Sequence, residues 1–161
     1  MKKSKKVIIL ENYLINKSTK ALVPASHPDY CTIVFEGENM FYVKKPCFAI
    51  IEGSCLPGGS SYIGRRTAAV HETDAKRKVP IAICTKEEIY AIPTKSPKSF
   101  NCTWLFYHHV QNFTVDESRH GKCIANMTDG IQISLDVSVA VMNKQLSRTA
   151  RCIMLFSKPT K

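Results

Sequence analysis

The sequence predicts an α+β domain made mainly of short antiparallel strands, with a small helix after a glycine-rich loop and a C-terminal amphipathic helix. Three observations carry this expectation. Runs of β-branched and aromatic residues recur at spacings too short for long helical crossovers. Two stretches repeat their apolar residues at helical intervals instead. The chain has 161 residues and 44% hydrophobic content, enough for one domain, residues 1–161, with an ordinary core.

In chain order, MKKSKK at 1–6 reads as a flexible basic start, and VIIL at 7–10 is cut short by Glu11. The first β-type run, ALV at 21–23, stops at Pro24. YCTIVFE at 30–36 reaches a turn at Gly37, Glu38 and Asn39, and MFYV at 40–43 is its expected hairpin partner. CFAII at 47–51 reads as another β-type run leading into the glycine-rich loop. Further strands are expected at 81–84, 88–92, 102–110, 113–115, 123–127 and 130–135. Within 102–110, strand alternation would turn one of His108 and His109 inward and the other outward.

Ser60 or Ser61 can cap a short helix from Tyr62 to about Thr73, with Ile63, Thr67 and Val70 on one side and Arg65, Arg66 and Ala69 elsewhere. A second helix spans roughly Val137 to Phe156. There Val139, Met142, Leu146, Ala150 and Ile153 form an apolar stripe, and Lys144, Arg148 and Arg151 form a basic row. Such rows are most often solvated faces, yet residues 137–161 carry five bases and no acid. The loop PTKSPKSFN at 93–101 adds two lysines and no acid.

Twenty-three Lys and Arg face thirteen Asp and Glu, a formal charge of +10 with a pI near 9.3. An anionic partner follows, nucleic acid first and a membrane surface second. No apolar run approaches the length of a transmembrane helix, so no membrane partner is expected. The seven cysteines are scattered singly, which points to reduced thiols in a cytosol rather than to a disulfide framework. As metal ligands they lack paired spacing, and neither metal nor cofactor is expected.

The stretch with the most chemistry is GGSSYIGRR at 58–66. Gly59 and Gly64 have the spacing of a nucleotide-binding P-loop, but Arg65 and Arg66 stand where that motif needs Lys and a hydroxyl. Nucleotide hydrolysis is therefore not expected. The glycines, serines and helix start suit an anion all the same, with backbone amides near the ligand and Arg65 and Arg66 one turn on. Lys76, Arg77 and Lys78 follow, so residues 58–80 hold five bases and two acids. Cys55, without an assigned histidine partner, reads as a small buried residue rather than a nucleophile, and no paired carboxylates stand out. The chain is not expected to be an enzyme.

SCLPGGSSYIGRR resembles the signature of the ComK family of bacterial competence transcription factors, through Cys55, Gly59, Ser60, Ser61, Tyr62, Gly64 and Arg65. Weaker agreement runs in order through FYV at 41–43, Pro80 and Ile81, Pro93 and Thr94, Cys102 and Trp104, His109 and Val110, Phe113, and Arg148 to Ala150. The resemblance implies a cytoplasmic, nucleoid-associated activator of DNA-uptake genes. It implies binding to A/T-rich boxes of double-stranded DNA, mainly through the minor groove, as a homodimer or dimer of dimers that works with RNA polymerase. It also implies a C-terminal extension captured by the MecA adaptor and Clp protease. The chain ends soon after the Arg148 region, so adaptor capture is not expected here.

The expected DNA contacts are Ser60, Ser61, Tyr62, Arg65 and Arg66, with Lys76, Arg77, Lys78, Lys95 and Lys98 beside them. Hydroxyls and loop amides would position phosphates while an arginine enters the minor groove. Two alternatives stand against this. One is a protein-interaction paralogue without specific DNA binding. The other is an RNA-binding domain, which needs Phe41, Tyr42 and Tyr62 exposed for stacking.

Overall fold

Among the described residues, ten strands and three α-helices form two sheets and the layers that cover them. The computed structural model describes residues 8–73 and 75–157; the basic start at 1–6 lies outside them. β1 (Ile9–Leu10), β2 (Thr19–Pro24), β3 (Thr32–Glu36) and β4 (Asn39–Val43) come first, followed by α1 (Cys47–Cys55) and α2 (Tyr62–Thr73). Then come β5 (Ile81–Cys84), β6 (Ile89–Pro93), β7 (Trp104–Phe106), β8 (Val110–Val115), β9 (Cys123–Met127), β10 (Gln132–Leu135) and α3 (Val139–Phe156).

The larger sheet has the order β1-β4-β3-β2-β7-β6-β5 and the smaller one β10-β9-β8. Every pairing is antiparallel except β1 with β4. The expected hairpin is present, with Ile33 opposite Tyr42 and Val34 opposite Phe41. Strand alternation then divides the core. Leu22, Val34, Ile81, Ile83, Ala91 and Trp104 face α1, whereas Ala21, Ile92 and Leu105 face the smaller sheet and α3. A third cluster, Ala69, Ala75, Val79, Ala82, Tyr90 and Cys152, seats α2 against β5, β6 and α3.

Five expectations are corrected. CFAII is the start of α1, not a strand: Cys47, Ile50, Ile51, Ser54 and Cys55 are its buried residues, an i, i+3, i+4, i+7, i+8 series. Residues 102–110 do not form one strand, because a 3₁₀ turn at Tyr107–His109 separates β7 from β8. That turn leaves both histidines on the surface, with His109 Nε2 2.7 Å from the Lys17 carbonyl oxygen and His108 Nε2 3.5 Å from Glu88.

In α2 the inward residues are Tyr62 and Ala69, while Ile63, assigned to the apolar side, is 74% exposed. In α3 the buried face is Met142, Gln145, Thr149 and Cys152, rotated from the apolar stripe by about one residue. Polar groups can occupy that face because each is satisfied there. Thr149 Oγ1 donates to the Gln145 carbonyl at 2.7 Å, and the Gln145 amide is bonded as described below.

All seven cysteines are free, and five of them are buried: Cys47, Cys55, Cys102, Cys123 and Cys152. Burial pushes the Cys47 thiol up to about 12 and the Cys55 and Cys152 thiols up to about 11. The folded state thus holds these protons more tightly than the unfolded chain. Stability is present below the ordinary thiol value of 9.0 and declines as pH rises above it. In a thiol titration of the native protein at about pH 8, only the half-buried Cys31 and Cys84 should react promptly, and the other five should appear on adding denaturant. Prompt labelling of Cys55 would revive its reading as a nucleophile.

Candidate nucleic-acid interface

The glycine-rich loop is wound upon itself. The amides of Gly58 and Ser60 both donate to the Cys55 carbonyl, at 3.1 and 3.4 Å, and that of Gly59 donates to Leu56 at 3.0 Å. The loop amides expected to position phosphates are thus turned onto the end of α1. Gly58 lies so close to β5 that a Cβ there would fall 2.0 Å from the Ile83 carbonyl oxygen. Gly59 holds φ at +102°, a region L-residues rarely enter.

Ser61 provides the helix cap, its Oγ accepting from the Gly64 amide at 3.0 Å. Arg65 folds back, and its Nη2 donates to the Gly58 carbonyl at 2.7 Å. Tyr62 is 8% exposed and meets the Phe48 ring nearly edge-on, with centroids 4.9 Å apart. Burial raises the Tyr62 phenol above its ordinary value, and the nearby Arg66 charge pulls it the other way. In this fold the motif acts first as a clasp that fixes α1, β5 and α2 together.

Beside the clasp lies a groove of about 610 Å3, lined by Phe48 and Glu52 of α1, Tyr62, Ile63, Arg66 and Thr67 of α2, residues 76–79, and Ser96, Pro97 and Lys98. Three separate chain segments therefore bring Arg66, Lys76, Arg77, Lys78 and Lys98 to one surface, against Glu52 as the carboxylate in the lining. None of the five cations pairs with a carboxylate among the described residues. Arg66 braces the rim by donating to the Lys76 carbonyl at 3.2 Å. Lys98 Nζ stands 6.0 Å from the centroid of the Phe48 ring.

The two cationic loops are held by one buried amide. Gln145 Nε2 donates to the Lys78 carbonyl at 2.7 Å and to the Pro93 carbonyl at 2.9 Å, while its Oε1 accepts from Arg148 at 3.1 Å. Pro93 ends β6, immediately before the loop that carries Lys98. Replacing Gln145 by Leu keeps the volume but removes both donors, one of them to a buried carbonyl. We expect a loss of about 2–4 kcal/mol in denaturant unfolding. Binding of anionic ligands by the protein that remains folded should weaken too, whereas an unchanged midpoint would mean that the two loops hold their own positions.

Of the residues expected from the sequence, Tyr62, Arg66, Lys76, Arg77, Lys78 and Lys98 line the groove. Ser60, Ser61, Arg65 and Lys95 do not, and neither does the α3 row of Lys144, Arg148 and Arg151. Sequence reasoning missed Phe48 and Glu52, because reading CFAII as a strand hid a helix whose spacing and preceding Pro46 were available signals. The RNA alternative loses one of its three stacking rings, since Tyr62 is buried, and Phe41 is partly buried against the core near Tyr13, with centroids 6.2 Å apart. Among the described residues, no group of three or more His, Cys, Asp or Glu could hold a metal ion, and no helix is long and apolar enough to cross a membrane.

Chemically, a concave surface with five cations and one carboxylate on an α+β scaffold is suited to phosphate-bearing ligands. Comparison with known proteins places the chain in a family: it belongs to the ComK family, whose model, described as ComK protein, matches residues 10–161. The chain is 30% identical over 142 residues to a competence transcription factor of Bacillus subtilis (strain 168), covering 88% of this chain and 73% of the relative. No solved structure matches it.

Proposed function

We propose that this protein is a DNA-binding transcriptional activator of competence genes that recognises A/T-rich boxes mainly through the minor groove. The observation that carries the reading is the convergence of Arg66, Lys76, Arg77, Lys78 and Lys98 on one surface, in a chain of the ComK family. Phosphate contacts made there fix the register, and an arginine of the rim, Arg66 or Arg77, enters the narrow, strongly negative groove of an A/T tract. Ser60, Ser61, Tyr62 and Arg65 serve by holding that rim, and Lys95 lies in the same loop as Lys98. Two half-sites call for a homodimer or a dimer of dimers, and activation calls for contact with RNA polymerase.

The test is fluorescence anisotropy with a duplex carrying two A/T tracts about one helical turn apart, a G/C-rich duplex of equal length and single-stranded RNA, across a salt series. Preference for the A/T duplex that persists as salt rises is the expected result. Equal binding to all three, erased by salt, leaves only a basic surface and sinks the proposal. No duplex binding at any salt favours a protein-interaction module instead.

A further inference from the structure

The groove differs from a plain phosphate-binding patch in two respects. It is concave, and its volume of about 610 Å3 falls in the range of small-ligand sites. A duplex presents a convex backbone, which needs cations on an accessible face but does not fill a cleft. In addition, part of its lining is apolar and aromatic. Phe48 is half-buried with the Tyr62 ring set against it, and Ile63, Val79 and Pro97 complete the lining. Phe48 and Lys98 also border a second, smaller cleft of about 250 Å3 that includes Phe100. Phe48 therefore lines both cavities.

Glu52 lies four residues after Phe48 on α1 and lines the same groove. A carboxylate there repels phosphate and accepts hydrogen bonds from ribose hydroxyls or an exocyclic amine. The cations stand on α2, on residues 76–78 and at Lys98, whose Nζ lies over the Phe48 ring. The groove thus brings an aromatic ring, one carboxylate and a set of cations into a single cavity.

We propose that this groove binds a nucleoside polyphosphate, its base stacked on Phe48 beside Lys98 and its phosphates on Arg66, Lys76 and Arg77. The inference rests on the reading of the groove as a phosphate-binding surface and adds the class of ligand. Because the same cations cannot neutralise a duplex backbone and a polyphosphate together, nucleotide and DNA compete, and DNA affinity follows the nucleotide concentration.

The experiment is isothermal titration of the full chain with ATP and, separately, with inorganic tripolyphosphate. It is repeated with Phe48→Leu and Phe48→Tyr, each confirmed as folded by circular dichroism, and followed by duplex anisotropy with and without ATP. The expected result is ATP binding at least about tenfold tighter than tripolyphosphate, a margin one stacked ring supplies. That margin should vanish in Phe48→Leu and return in Phe48→Tyr, and ATP should displace the duplex. Equal affinity for ATP and tripolyphosphate overturns the proposal, as does a margin that survives in Phe48→Leu. Saturable duplex binding with no ATP binding overturns it too and leaves the DNA reading standing. Loss of both together removes the phosphate-binding surface itself.

Discussion

Removing three cations at once, in the variant K76A/R77A/K98A, is expected to weaken binding to an A/T-rich duplex on the order of a hundredfold at about 0.1 M salt. Each phosphate contact contributes about 0.9 to the slope of log affinity against log salt, so the slope should become shallower by about three. The three side chains are exposed and come from two segments that meet in the groove, so the fold should not suffer. Lys78 is left in place on purpose, since its φ of +50° and its carbonyl bond to Gln145 make substitution there structural. The control is K144A/R151A, two exposed residues of α3 outside the groove lining, whose removal should change the slope by less than one contact. If the two variants lose affinity equally, DNA meets the protein by overall charge and not through this surface.

Gly58→Ala should be the most damaging single substitution in the signature loop. Its Cβ would stand 2.0 Å from the Ile83 carbonyl oxygen and 3.3 Å from that of Cys55, both backbone atoms with no rotamer to escape through. Either α1 and its loop lift from β5 or the strand shifts, which costs about 3 kcal/mol, roughly 10 °C in Tm for a domain of this size. Gly59→Ala is the informative comparison, because nothing lies within 4 Å of its Cβ and only the φ of +102° opposes it. That strain costs about 1–2 kcal/mol. Thermal unfolding of both variants decides the matter. Equal losses would mean that the loop is limited by backbone conformation and not by its seat on β5.

Much of the architecture is legible in the residues. IAIC, CIANM and the MFYV hairpin lie within a residue of their strands because alternation, Gly37 and short connections leave them little choice. The Ser61 cap and the helix it opens follow from local chemistry alone. α1 is the instructive failure. CFAII has the composition of a strand, and the helical series Cys47, Ile50, Ile51, Ser54, Cys55 becomes visible only when the window extends past Glu52 and Gly53.

The candidate site was legible in part, for an equally physical reason. Composition reported an anion partner, and the basic runs named most of the cations, but sequence distance gives no hint that Lys98 meets Arg66 and Lys76. The GGSSYIGRR stretch shows the converse. Its spacing advertised amides open to a ligand, whereas the close approach of Gly58 to Ile83 and the bonds to the Cys55 carbonyl turn those amides inward.

The sequence by itself determined the α+β class, the excess of positive charge, the scattered thiols and the signature of the family, because each depends on residue type and local spacing. Only the tertiary structure decided which of those charges act together. Gln145, a polar residue on a helix face that periodicity assigned to neighbouring apolar positions, binds the Lys78 and Pro93 carbonyls and so sets the two cationic loops beside α2. A hydrogen bond between residues 145 and 78 leaves no local trace in the chain, yet it ties a segment of the groove lining to α3.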